Sequence, residues 1–541
     1  MVRKRKYLTP IFCFVLLIFS CSKQVDTIDI LLLNGNIYDG SGAQPFVADI
    51  GIQGDSITFI GDAESADIRA GETISVTGLM VTPGFIDMHS HAELDKDYGR
   101  DALPFVYQGI TTAMIGVDGG GTPDISDMYG RFLDNGIGIN ALACVGHGAI
   151  RRQVMGMDNR APTARELQTM KNLVKQAMQQ GAIGLSTGLF YTPGFYAKTE
   201  EVIDLAKIAA DFGGLYDTHD RDLGASYKGI GYLNSIREAI RIGEESGARV
   251  IFSHFNAQGA HNYGRAVEGA RLIDEARARG VRVEAAQHVY TATQSNLRAY
   301  TIPRWAAAGG REAMIRRFDD PDTVKMLDVQ TMEMLEIRGG PGKILFADPR
   351  PDLNGKTLAQ IAQGWNLPVP ETVRRILRQS NAVVMNLDLY DIENTRFLAK
   401  QPWMMTCTDG RTPAPGQDVC HPRVYGAFTR KLRQFVLDEK IITLPFAIRS
   451  MTGLAADFLE IKTRGYLREG MVADIAVFDE NHIQDRATFE KPHNFSEGTV
   501  HVLVNGEFVL KNEKPTGILA GVPLLRNGGI YKSQNGGSPE N

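Results

Sequence analysis

The sequence predicts a (β/α)8 TIM barrel of the α/β class carrying a small β-sandwich domain built from both chain ends. Three observations lead there. From residue 82 to 466, apolar β-prone runs alternate with helix-length amphipathic segments. There are eight such runs, and every one finishes in a polar or cation-capable side chain, as barrel strands do at the rim where their C-terminal ends gather. Short strands broken by Asn-Gly and Asp-Gly turns fill residues 28–81, and the same texture returns over 467–530.

The chain has 541 residues, 43% hydrophobic and 22% charged, enough apolar material for a large core. A formal net charge of −5 offers no basic surface, so nucleic acid is excluded as a partner; oligomeric state is not legible.

The first residues have another purpose. Met1 to Lys6 is basic, Leu8 to Phe19 is apolar but short for a bilayer, and Ser20-Cys21 follows directly. Ile18-Phe19-Ser20-Cys21 resembles a bacterial lipobox. Residues 1–20 then read as a lipoprotein signal peptide, 21–27 as a tether, and a lipidated Cys21 as the only membrane contact of an exported protein in the periplasm or at the cell surface. The alternative is an ordinary signal peptide or an uncleaved anchor. Residues 531–541 read as a flexible tail.

Along the barrel, strand-like runs occur at Phe85-Ile86, Thr111 to Ile115, Ile139 to Val145, Ala182 to Leu185, Gly214 to Tyr216, Val250 to Phe252, Val281 to Glu284 and Met404 to Cys407. Helices are expected over Thr163 to Gln180, Thr199 to Phe212, Tyr232 to Ser246 and Arg265 to Arg279. The seventh and eighth strands lie about 120 residues apart, far more than a βα connection needs. Residues of about 298–397 are therefore an insertion, placed to cover the mouth of the barrel.

Reading the strand ends gives His89 and His91, Asp118, His147, Ser186, His219, His254, His288 and Asp409. Of the 11 histidines, six fall at these ends. The spacing of His89 and His91 points both rings to one side of an extended backbone. Converging imidazoles and carboxylates suit Zn²⁺ and its first-row neighbours, and Asp87 is placed to orient a ring. Removing Cys13 and Cys21 leaves Cys144, Cys407 and Cys420, which read as buried small side chains, with a Cys407–Cys420 pair as the alternative.

Pro83 to His91, Gly109-Ile110-Thr111-Thr112, Gly146-His147-Gly148, Ser186 to Gly194, Thr218-His219-Asp220-Arg221, Ser253-His254, Thr408-Asp409-Gly410, His421-Pro422-Arg423 and Gly470 to Asp474 occur in the order seen in the amidohydrolase superfamily. The resemblance is to its D-aminoacylase (N-acyl-D-amino-acid deacylase) branch. It implies one or two zinc ions at the barrel mouth and hydrolysis of an amide next to a free carboxylate on a small-molecule substrate. Carried over, His89, His91 and Asp409 hold one metal, and His219 with His254 the other. Asp118 stands where such deacylases place a bridging cysteine. Asp409 is the expected general base, and Tyr191, His288, Arg423 and Asn256 are the expected substrate contacts. Arg423 is assigned the carboxylate. Tyr191 either bonds substrate or packs, and His288 either binds substrate or stabilises an oxyanion.

Asn256 replaces a lysine of the family pattern and His288 a tyrosine, so the substrate need not be a standard N-acyl-D-amino acid. A D-residue-releasing dipeptidase fits the same chemistry. A cyclic amidase or lactonase, and a surface binding protein that has lost catalysis, stand as alternatives. His147 is expected to be structural, and His261, His482, His493 and His501 to take no part.

Overall fold

The computed structural model describes residues 27–413 and 419–532. The leader, Cys21, most of the tether and residues 533–541 of the tail lie outside the described residues. Among those described, no helix is long and apolar enough to cross a membrane.

Eight parallel strands form the barrel wall: Phe85–Asp87, Ile110–Ile115, Asn140–Gly146, Gly184–Gly188, Leu215–His219, Arg249–Phe252, Val283–Gln287 and Met404–Thr406. The first and last are joined by backbone bonds just beyond the ladder, with Met88 N donating to Thr406 O (3.3 Å) and Asp409 N to His89 O (2.9 Å). Strand alternation sorts the side chains. Ile86, Met114, Leu142, Ile183, Ile251, Ala286 and Met405 fill the interior, while Phe85, Ala113, Val145, Tyr216, Val250 and Phe252 face the helices. Four of those helices, Ala164–Gln179, Thr199–Asp211, Tyr232–Ser246 and Ala266–Ala278, fall where the sequence places them. The first begins with a capping box between Thr163 and Glu166.

Both chain ends build the β domain, as expected, but its strands are hydrogen-bonded into one nine-stranded sheet. The junction is Met80–Pro83, which runs parallel to the first strand at Asn36-Ile37 and antiparallel to Ile475–Phe478. Inward-facing residues from both ends, among them Leu32, Ile50, Val81, Ile475 and Leu503, share one apolar cluster.

Three boundaries move. The first strand starts at Thr27, inside the stretch read as tether. Residues 521–524 do not belong to the β domain: Gly521 and Pro523 bridge to Ile137 and Ala141, and Leu524 plugs the barrel floor. Tyr531, read as tail, packs edge-on against Tyr129 with ring centroids 5.2 Å apart.

The insertion begins earlier and ends earlier than its local pattern suggests. Thr293–Asn296 pairs antiparallel with Val383–Asn386, which pairs with Ile344–Phe346, around a separate apolar cluster. The helix Ile392–Ala399 instead packs on Ala266–Ala278 in the outer ring. Pairing between residues about ninety positions apart leaves no local trace. Cys144, Cys407 and Cys420 are buried and free, so the Cys407–Cys420 pair does not form.

Candidate metal centre and active site

Each donor sits where a barrel strand ends, and three need an unusual backbone to point inward. Asp118 (φ 56°), His254 (φ 31°) and Asp409 (φ 48°) all occupy left-handed conformations. Non-glycine residues rarely do so, and such departures cluster at functional sites. The turn that carries Asp118 is pinned by Ser186: its hydroxyl donates to Gly116 O (2.6 Å) and accepts from Gly119 N (3.1 Å). Gly119 itself (φ +70°) cannot be replaced cheaply, since a Cβ there would lie 2.9 Å from Gly188 N.

The donors converge. His89 Nε2 lies 3.4 Å from Asp118 Oδ1 and 3.7 Å from Asp409 Oδ1. His91 Nε2 lies 3.5 Å from Asp118 Oδ2 and 3.4 Å from Asp409 Oδ1, and His254 Nε2 lies 3.8 Å from Asp118 Oδ1. Two overlapping groups result, His89–His91–Asp409 and His89–Asp118–His254, each compact enough for one cation. His219 belongs to neither, but its ring centroid is 4.6 Å from that of His254. Its Nδ1–H donates to Asp220 O (3.1 Å), which leaves Nε2 as the free donor.

The fit to a cation rests on orphaned atoms. Both ring nitrogens of His89, Asp118 Oδ1 and His254 Nδ1 are buried with no hydrogen-bond partner among the described residues. An unmade hydrogen bond on a buried group costs about 1–3 kcal/mol, and a bound ion would meet the donors that face the cavity. Charge agrees. Burial alone would raise the Asp409 and Asp118 carboxyls, but Arg423 and the histidines outweigh it and hold both well below the carboxylate range. Burial opposes protonation of His91, yet Asp118 and Asp409 push its pKa up to about 9. Burial pulls His219 down to about 4.

Arg423 is buried, and its Nη1 lies 2.5 Å from Asp409 Oδ2. The same nitrogen is 3.1 Å from His288 Nε2. Arg423 Nε has no partner, so the guanidinium keeps a spare donor beside the cavity. Tyr191 lines the cavity, crosses His219 edge-on at 4.8 Å, and accepts a bond from Ser295 of the insertion (3.2 Å). His147 is structural as expected: its Nε2 meets Glu201 Oε1 at 2.9 Å, alongside Arg151.

Three expectations fail. His288 does not line the cavity; it is buried, with Nε2 bonded to Arg423, so it is no direct substrate contact. Asn256 does not face the cavity; its amide donates to Thr395 Oγ1 (2.9 Å) and its carbonyl accepts from Ala257 N (2.8 Å), which turns it toward the outer helices. Asp87 orients no ring. It accepts from His89 N (3.2 Å) and Thr408 N (3.0 Å), tying the ends of the first and last strands together. The carboxylate nearest a ring nitrogen on that side is Asp217, whose Oδ1 lies 3.7 Å from His89 Nδ1. Sequence reading missed it, although it stands two positions before His219 and so on the same strand face.

The match to the amidohydrolase family spans residues 72–510. D-aminoacylase of Alcaligenes xylosoxydans xylosoxydans is 32% identical over 92% of this chain and 98% of its own length. N-acyl-D-glutamate deacylase of the same organism is 30% identical over 91% and 95%. The crystal structure of N-acyl-D-glutamate deacylase from Bordetella bronchiseptica, complexed with zinc and a phosphonate inhibitor, superposes with a TM-score of 0.78 at 28% identity, covering 93% of this chain and all of that one. With a barrel, an inward set of strand-end donors and this span of likeness in agreement, the chain belongs to the amidohydrolase family.

Proposed function

We propose that the protein is a zinc-dependent hydrolase that deacylates an N-acyl-D-amino acid, or releases a D-residue from a dipeptide. The carrying observation is the pair of donor groups sharing His89 at one cavity, with Arg423 pressed on Asp409. His89, His91, Asp118, His219, His254 and Asp409 would hold one or two ions. A bound zinc lowers the pKa of water to about 7 and polarises a carbonyl, the two demands of amide hydrolysis. Asp409, ionised in its pocket, takes the proton from the attacking water and passes it to the leaving nitrogen as the C–O bond forms and the C–N bond breaks. Arg423 steadies Asp409 through Nη1 and offers its remaining donors to the substrate carboxylate. His288, bonded to Arg423, sets the position of that guanidinium.

The test is hydrolysis of matched N-acetyl-D- and N-acetyl-L-amino acids and D-containing dipeptides, with metal counted in protein purified without chelator. Turnover confined to D-substrates and dependent on zinc supports the reading. An Arg423→Ala variant with unchanged kcat/KM would favour a cyclic amide or lactone substrate instead. Export as a lipoprotein rests on residues 1–21 alone; loss of labelled lipid in Cys21→Ser supports it, and unchanged labelling overturns it.

A further inference from the structure

His89 is the histidine shared by both candidate metal groups, and the two nitrogens of its ring have different surroundings. Nε2 faces Asp118 and Asp409, at 3.4 and 3.7 Å. Nδ1 has Asp217 Oδ1 at 3.7 Å instead. The ring is fully buried and held in place by His91 and His254, which cross it edge-on at 5.4 and 5.1 Å, yet neither nitrogen has a hydrogen-bond partner among the described residues. A cation at Nε2 accounts for only half of this. A neutral ring that coordinates through Nε2 carries its proton on Nδ1, and that N–H needs an acceptor.

Asp217 is the matching half-made partner. It stands in the middle of the strand Leu215–His219 and is fully buried. Its Oδ1 accepts from Ser253 Oγ (2.8 Å), and Ser253 is itself anchored, its N donating to Thr218 O (3.0 Å). Its Oδ2 has no partner, and His89 is the only basic side chain within ion-pair range of it among the described residues. Asp87 cannot stand in, because its oxygens are taken by Thr408 and by His89 N. A buried carboxyl with one unused oxygen beside a buried ring nitrogen with no acceptor is unfavourable for both. One hydrogen bond would relieve both, and 3.7 Å is only slightly beyond N–H···O range.

We propose that Asp217 is a positioning residue of the metal centre: it accepts the Nδ1–H of His89, which fixes the ring in the tautomer whose Nε2 lone pair is free for a cation and makes that nitrogen the stronger ligand. It touches neither the substrate nor the reacting atoms. The benefit to the ion rests on the metal-centre reading; the choice of tautomer stands apart from it.

Asp217→Asn is the informative change. Its amide keeps the shape of the carboxyl and, with Oδ1 still accepting from Ser253, turns an N–H toward His89, which selects the opposite tautomer. Asp217→Ala removes the acceptor and imposes neither tautomer. Three readouts are followed in wild type and both variants: zinc Kd by chelator competition, melting temperature of the metal-free protein, and the nitrogen NMR signals of the His89 ring. The expected result is a zinc Kd raised about tenfold or more in Asp217→Asn, with Asp217→Ala between it and wild type. The metal-free melting temperature should be unchanged or higher in Asp217→Asn, since a buried carboxyl short of a partner is gone. A packing role predicts the reverse order, with Asp217→Ala the weaker binder and melting temperature falling in step. That reverse order, or a Kd raised by clearly less than tenfold in Asp217→Asn, overturns the proposal. If the wild-type protein binds no zinc, the metal-centre reading fails and the ring signals alone decide: Nδ1–H in wild type giving way to Nε2–H in Asp217→Asn supports the positioning role, and one tautomer in both overturns it.

Discussion

The deep end of the cavity and its outer wall are built on different principles. At the deep end, His89, His91, Asp118, His254 and Asp409 come from the ends of strands in one closed wall, and three of them sit in left-handed backbone. Part of the outer wall comes from the insertion, which has its own three-stranded sheet and its own apolar cluster; barrel loops, Tyr191 among them, supply the rest. The deep end is rigid because every donor is fixed by a neighbouring strand, and rigidity is what a metal site demands. The outer wall contributes none of these donors, so substrate choice is free to reside there.

The two regions meet at Phe190. Its ring stacks on His219 (centroids 5.3 Å, 14° between planes), while Arg304 and Arg338 of the insertion lie over it at 4.3 and 5.6 Å. Phe190 also belongs to the insertion's apolar cluster. The insertion is thus braced against a histidine of the candidate metal centre, and a contrast between chemistry and selectivity should be breakable at that ring.

The largest expected effect is at the deep end. Asp409→Asn should lower kcat by about 10³-fold, the scale of a lost general base, with steady-state hydrolysis as the readout; activity within tenfold of wild type would remove Asp409 from that role. Asp118→Ala should lose about one metal ion per chain by elemental analysis, because its two oxygens face His89, His254 and His91; full occupancy would show that the histidines suffice.

Proton competition sharpens the same point. His91, pushed up to about 9 in the metal-free site, must lose its proton before it can bind a cation. The apparent metal Kd, followed by titration, should therefore rise about tenfold per pH unit as pH falls from 8 to 7. A flat profile would mean that His91 does not coordinate.

At the junction, Phe190→Ala should cost about 3–5 kcal/mol by urea denaturation, the range for a buried phenylalanine, and should weaken metal binding through His219. Loss of stability with metal affinity intact would uncouple the two regions. The smallest effect is expected for Ser295→Ala, which removes the bond to Tyr191. It should cost about 1 kcal/mol and raise KM with kcat little changed.

Much of the donor set was legible because barrel geometry turns a one-dimensional pattern into a convergent one. Strand ends are marked by where an apolar run stops, and strands in register bring those ends together. Asp217 lies inside its strand, two positions before His219, where no apolar run stops to mark it. Asn256 failed because its place in a motif said nothing of which way the chain turns after His254, and Thr395, 139 positions away, captured its amide. Asp87 failed for a similar reason, since Thr408 across the barrel seam claims its oxygens.

The sequence by itself determined the barrel, the two-ended β domain and the strand-end histidines and carboxylates, because hydrophobic period and strand termination are local properties of the chain. Only the tertiary structure decided that Asn256 faces away, that Arg423 rests on Asp409 and that Phe190 joins insertion to metal site. Those are pairings between residues far apart in the chain. Their partners are chosen by packing and desolvation across the fold, which leave no periodic mark in the chain.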